Sequence, residues 1–235
     1  MSSRKKINLL ITCVGGELIP QLLILMRKSK VFHINIIGVD IREDAVGKHF
    51  CDYFYKVPVG TKEKQYIAII SELIRKHKIK IIIPASDEES VTLSKNKKKI
   101  RELNSTVVID DYEKIKILNN KLETYKFLKK KELALPFWEE VGSHDQLEQI
   151  INKCNEKYEN LVLKSTNQRG SRSVYFIDKE KRISDFFNNK VTLKELIEDF
   201  KLNEKLFPLM IMEKYFKPVY DIDILTWKGK LLKTV

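Results

Sequence analysis

Apolar residues follow two rhythms along this chain, and the change from one to the other divides it. Residues 7–13 (Ile-Asn-Leu-Leu-Ile-Thr-Cys), 34–40 and 80–83 are short runs rich in Ile, Leu and Val. They are too short for core helices and too apolar to have a wet face, so they read as buried strands. Between them the apolar positions recur at helical spacing. Leu18, Ile19, Leu22, Leu23, Leu25 and Met26 place a helix over residues 17–28, and another follows over 62–77. Residues 52–57 and 106–109 add two strands, and Pro84 stops the run before it. Ser86, three residues ahead of Glu89, has the form of a capping box that opens a further helix. Doubly buried strands alternating with helices predict a doubly wound parallel α/β sheet over about the first 110 residues.

After Asp110-Asp111 the pattern becomes mixed. Short helices are expected over 112–118 and 120–130, an extended piece over 137–141, and an amphipathic helix over 144–155. That helix has Leu147, Ile150, Ile151 and Cys154 on one side. Residues 161–177 read as strand, polar turn, strand. Helices near 183–188 and 192–200 come next, then an apolar strand over 209–212. A hairpin over 220–235 turns at Lys228-Gly229. The change from parallel α/β to α+β puts a domain boundary near residue 111.

Composition narrows the class. The chain has 235 residues, 43% of them hydrophobic, enough for a sizeable core without staples. It has no apolar run of the ~18 residues a membrane span needs, and Gly15-Gly16-Glu17 after the first strand is no signal-peptide cleavage site. Cys13, Cys51 and Cys154 form no C-x-x-C, and His33, His49, His77 and His144 form no spaced ligand set. A reducing cytoplasm is the expected setting. The net charge of +12 raises the nucleic-acid question. The lysines, however, are spread over amphipathic helices among glutamates, with no aromatic-basic strand motif, so solvated faces explain them better.

The candidate chemistry lies at element edges. Gly15-Gly16 and Asp40 invite a dinucleotide reading, but G-x-G-x-x-G is absent, and a tight turn with a structural or substrate role fits better. Asp87 and Glu88 sit at an equivalent strand end and are candidate substrate contacts. Lys164 ends a strand where its ammonium can meet a phosphate. The turn after it offers Arg169, Gly170, Ser171, Arg172 and Ser173, with backbone amides and cations suited to covering a polyphosphate. Lys121 opens a helix, a second place that favours phosphates. Glu213 ends an apolar strand where a carboxylate can accept from a base amino group.

In order and spacing these residues resemble the ATP-grasp ligases, the superfamily of biotin carboxylase and the carbamoyl phosphate synthetase large subunits. Asn120-Lys121 matches the Asp-Lys segment whose lysine contacts ATP phosphates, and Leu163-Lys164 the strand-borne phosphate lysine. Residues 169–174 look like the Gly-Ser-Arg-Gly-Val flap. Met212-Glu213-Lys214-Tyr215-Phe216 is similar to the hinge that holds adenine. The resemblance implies a pre-ATP-grasp domain over 1–111, a lid subdomain over 112–208 and the start of the larger half over 209–235. It also implies ATP, with Mg²⁺, and a small-molecule carboxylate and amine joined through an acyl-phosphate, with a tilt to the carbamoyl-phosphate-synthetase-like branch.

Departures accompany the match. Asn120 replaces the usual Asp and Ser173 the last flap glycine. No clear ribose acid follows the hinge, although Asp221 and Asp223 are near, at a spacing that shares one face of a strand. The metal-binding acid and Glu-x-Asn pair of the family have no counterpart. The expectation is therefore an incomplete ATP-grasp domain, part of a protein of roughly 320–420 residues. The resemblance implies that such a piece binds ATP without its own metal ligands, is inactive alone, and leaves an open sheet edge suited to pairing as a homodimer. Two other readings stand beside it: a non-catalytic nucleotide-binding module, and a basic nucleic-acid-binding protein.

Overall fold

The computed structural model describes residues 4–166, 173–216, 218, 220 and 222–234. Its backbone packs into two compact units, residues 1–127 and 128–235, and each is described by itself. Among the described residues no helix is long and apolar enough to cross a membrane.

The first unit contains strands β1 (Lys5–Ile11), β2 (Phe32–Asp40), β3 (Tyr53–Lys56), β4 (Ile81–Ile83) and β5 (Thr106–Val107). Its helices are α1 (Ile19–Arg27), α2 (Glu63–His77), α3 (Asp87–Lys95), α4 (Lys97–Glu102), α5 (Tyr112–Leu118) and most of α6 (Lys121–Lys130). The strands lie in the order β3-β2-β1-β4-β5, and every pairing is parallel. Successive side chains on a strand point to opposite faces. Leu9 and Ile11 therefore pack with Leu23 of α1, while Leu10 packs with Tyr66, Ile70 and Ile74 of α2. Ile36 and Ile37 divide in the same way, and both are fully buried. This is why β1 and β2 read as continuous apolar runs. The order reverses between β1 and β4, which opens a crevice at their carboxyl ends.

The second unit contains β6 (Trp138–Val141), α7 (His144–Asn155), β7 (Asn160–Ser165), β8 (Val174–Asp178), β9 (Ile183–Asp185) and β10 (Lys190–Val191). After them come α8 (Leu193–Leu202), β11 (Leu209–Glu213), β12 (Ile224–Trp227) and β13 (Lys230–Thr234). Among the described residues the order β10-β9-β8-β7-β11-β6 makes one antiparallel sheet, and β12-β13 a separate hairpin. Leu161 and Leu163 of β7, Ile177 of β8 and Ile211 of β11 pack with Leu147 and Ile151 of α7 and with Leu196 and Phe200 of α8. The helices thus cover one face. The hairpin turns at Lys228 (φ 49°) and Gly229 (φ 75°), the paired left-handed residues of a tight two-residue turn, and its strands are exposed.

One expected element is corrected. Residues 183–188 do not form a helix: β9 pairs with β8, and Asp185 then turns the chain by accepting from Phe187 N (2.9 Å) and Asn189 N (2.8 Å). Those side-chain bonds offer the backbone a turn in place of a helix.

Candidate functional site

In the first unit the crevice at the switch point encloses about 280 Å³, lined by Cys13, Asp40, Gly60, Ser86, Glu88 and Glu89 among others. Asp40 is buried, and both of its oxygens are engaged by backbone: Gly15 N donates to Oδ2 (2.7 Å) and Arg42 N to Oδ1 (2.9 Å). It ties the loop after β1 to the loop after β2, a structural role in place of a ribose contact. A Cβ at Gly15 would lie 3.0 Å from Asp40 Oδ2, so the close approach needs glycine. Gly16 N closes the turn on Cys13 O (3.0 Å), and Cys13 takes the left-handed φ of 51°.

Glu89 is as deeply buried in this crevice as Asp40, with only 4% of its surface exposed. Tyr66 Oη donates to Oε1 (3.3 Å) and Ser86 Oγ to Oε2 (2.8 Å), and Thr12 bonds it as well. Burial pushes its carboxyl above the ordinary carboxylate range. The three hydroxyls pull the other way, and the charge on Asp40 adds to the rise. Sequence reading saw in Glu89 only a helix cap; its hydroxyl partners Thr12 and Tyr66 come from other elements. The predicted pair Asp87 and Glu88 is separated: Glu88 lines the crevice, whereas Asp87 lines a neighbouring pocket of about 230 Å³ with Pro84, Val108 and Ile115. Lys121 is the first residue of α6, beside Asn120, whose Oδ1 accepts from Glu123 N (3.1 Å).

In the second unit the face of the sheet turned away from α7 and α8 carries the predicted lysine. Directly opposed residues share a face, so the register defines a row across all of these strands. It runs Trp138, Met212, Val162, Phe176, Ser184 and Lys190. Glu139, next to Trp138, points the other way and pairs with Lys153 of α7 (2.8 Å), which confirms the sides. A parallel row of Glu140, Met210, Lys164 and Val174 lies two residues along the strands. Lys164 is thus half-buried beside an apolar platform. Of that platform, Trp138, Val162 and Phe176 were not foreseen.

Glu213 ends β11 with its N donating to Phe137 O (3.1 Å), and Lys214 N donates to Asn160 O (2.9 Å). The Lys214 ammonium lies 4.4 Å from the Phe176 ring centroid, and Lys129 lies 5.9 Å from that of Trp138. Tyr215 and Phe216 are exposed. Ser173 has φ 53°, the left-handed region, at the position where the flap pattern has glycine, and its O accepts from Ser165 N (3.2 Å). Arg169, Gly170, Ser171, Arg172 and Asp221 lie outside the described residues. Asp223 is exposed and precedes β12, and its expected pairing with Asp221 on one strand face lies outside the described residues. Among the described residues no three His, Cys, Asp or Glu side chains converge as a metal site.

Comparison with known proteins follows the same division. Residues 9–108, which span the parallel sheet, match the model of the PylC-like N-terminal domain family. No curated protein matches the sequence. Solved structures match the fold along most of the chain. An L-amino acid ligase from Bacillus licheniformis superposes with a TM-score of 0.61 at 15% identity, covering 97% of this chain and 49% of that one. Carboxyaminoimidazole ribonucleotide synthase from Aspergillus clavatus, complexed with ATP, gives 0.60 at 14% identity, covering 99% and 53%. N5-carboxyaminoimidazole synthetase from Staphylococcus aureus, complexed with ADP, gives 0.55 at 18%, covering 90% and 47%. The chain spans about half the length of each of these proteins. Over that half it has the ATP-grasp fold of these structures, and residues 9–108 match the PylC-like N-terminal domain model.

Proposed function

We propose that this chain is the nucleotide-binding part of an ATP-dependent carboxylate–amine ligase. The observation that carries the reading is the face of the second unit's sheet turned away from α7 and α8. An apolar row of Trp138, Met212, Val162 and Phe176 lies two residues along the strands from Lys164, and β11 ends beside it at Glu213, which opposes Leu161. Such a row suits a planar base, and the ammonium beside it suits phosphate oxygens. Two of the similar structures are described with ATP or ADP, which supports the reading without fixing the substrates.

In the proposed reaction a carboxylate oxygen attacks the γ-phosphorus of ATP. This forms an acyl phosphate and releases ADP, and an amine then displaces phosphate to leave the amide. Lys164 neutralises charge on the transferred group, and the residues of 169–173 are assigned to the flap over it. The apolar row desolvates the base, and the backbone carbonyl of Glu213, at the end of β11 beside the row, is assigned to its amino group. Mg²⁺, if bound, would add charge neutralisation at the phosphates. The crevice beside Gly15-Gly16 and Glu88 is assigned to the small-molecule substrate, at the strand ends where such sheets bind ligands. Residues 1–111, 112–208 and 209–235 serve in this proposal as the pre-ATP-grasp, lid and first large-subdomain segments. The carbamoyl-phosphate-synthetase-like branch remains the proposed kin.

Calorimetric titration with a non-hydrolysable ATP analogue tests this. The chain should bind it, and Lys164→Met should weaken binding at least tenfold, on the order of 1.5–3 kcal/mol for a charge-assisted contact, with an unchanged melting temperature. No binding by the unaltered chain would overturn the reading.

A further inference from the structure

The face turned away from α7 continues past Phe176. There β8, β9, β10 and the start of α8 enclose a groove of about 710 Å³ in the second unit. Lys181, Arg182, Lys190 and Lys214 line it, and Asp178 is the carboxylate among its lining residues. That carboxylate is fully engaged: Oδ1 accepts from Glu180 N (2.9 Å) and Arg182 N (3.0 Å), and Oδ2 from Arg182 Nε (2.6 Å). Arg182 also meets Glu180 (2.7 Å), so its charge is balanced and the β8–β9 turn is held.

The three lysines are in a different condition. Lys181 donates to the neutral Asn152 Oδ1 (2.8 Å). Lys214 rests on the face of Phe176, which steers an ammonium but carries no net charge. Lys190 stands opposite Ser184 and forms no ion pair among the described residues. The amino end of α8 contributes little, because Thr192 and Glu195 already close it as a capping box with a carboxylate at its first turn. Three lysines therefore line one groove from three separate segments, and among the described residues none of them is in an ion pair.

We propose that this groove binds a small multivalent anion, one bearing two or more phosphate or carboxylate groups. A single anionic group cannot meet lysines that come from the β8–β9 turn, from β10 and from the segment after β11, because neighbouring strands stand about 4.8 Å apart. The site is distinct from the phosphate end of the nucleotide reading. Asn160 opposes Asp178 at the groove, whereas Lys164 opposes Val174, four residues or about 13 Å farther along β7. The proposal does not depend on ATP binding.

The test is a titration of the ¹⁵N-labelled chain with sodium tripolyphosphate, and separately with citrate, at constant ionic strength. Saturable amide shifts are expected at Ser184, Lys190 and Thr192. Lys181→Glu and Lys190→Glu should each weaken binding at least tenfold, and Lys98→Glu, on an exposed face of α4 in the first unit, should leave it unchanged. Binding of both probes supports the shared anion chemistry, and binding of tripolyphosphate alone supports it as a phosphate site. Shifts confined to the surroundings of Lys121 and Lys164, non-saturating shifts over lysines generally, or full affinity in Lys190→Glu would each overturn it.

Discussion

The parallel sheet of the first unit and the antiparallel sheet of the second place their chemistry differently. The first is covered by helices on both faces, so Ile36 and Ile37, adjacent in sequence, are both fully buried, and polar groups collect only at the strand ends. The second gives one face to α7 and α8, so in Leu161-Val162-Leu163-Lys164 the leucines are buried among helices and the alternate residues form a platform. A site at strand ends depends on loops and caps; a site across a sheet depends on register. The two can be disturbed separately.

The largest expected effect is on stability. Ile36→Ala and Ile37→Ala should each destabilise the first unit by about 2–5 kcal/mol in urea unfolding, whichever face is opened. In the second unit Leu163→Ala should cost a similar amount, but Val162→Ala less than about 1 kcal/mol. Equal costs at positions 162 and 163 would break the comparison. Next comes the platform itself: Phe176→Leu should weaken binding of the ATP analogue by about 1 kcal/mol, roughly fivefold, with little change in melting.

The crevice of the first unit makes a pH prediction. Glu89 is held above its ordinary pKa, so the folded state binds its proton more tightly than the unfolded chain does. That contribution to stability is complete below the unfolded carboxylate range and is lost as pH rises through the folded value. The first unit should therefore lose stability as the solution moves from acid toward neutral. Glu89→Gln should flatten that fall. Identical slopes in the two proteins would remove Glu89 as the cause. The smallest effect is expected at Ser173. Ser173→Gly relieves a left-handed serine but frees the unfolded chain, so the urea midpoint should move by no more than about 0.5 kcal/mol equivalent. A larger loss would assign the serine hydroxyl a contact of its own.

The parallel sheet was legible in the sequence because its information is local: runs such as Lys80-Ile-Ile-Ile83 declare a strand buried on both faces without reference to anything distant. The Ser86 cap and helix α7 were equally local, and both formed as expected. The helix expected near 183–188 failed for a specific reason. Ile183, Phe186 and Phe187 fall at helical spacing, but Asp185 between them captures the amides that a helix would use. The platform was hidden for the opposite reason. Lys164 could be picked from its strand end, yet Trp138, Val162, Phe176 and Met212 meet only through pairings between segments far apart in sequence. Periodicity shows which residues share a face of one strand, not which strands adjoin. The hydroxyls around Glu89 were hidden in the same way, since Thr12, Tyr66 and Ser86 come from three elements.

The two tryptophans of the sequence fall in contrasting surroundings. Trp138 is half-buried on the platform with an ammonium over its ring, while Trp227 is 64% exposed on the β12–β13 hairpin. Their emission should therefore separate into a shielded, shorter-wavelength component and a longer-wavelength one that soluble quenchers reach first. An unlabelled sample thus carries two optical reporters, one for the face where a base is proposed to stack and one for the hairpin, and a quencher distinguishes them.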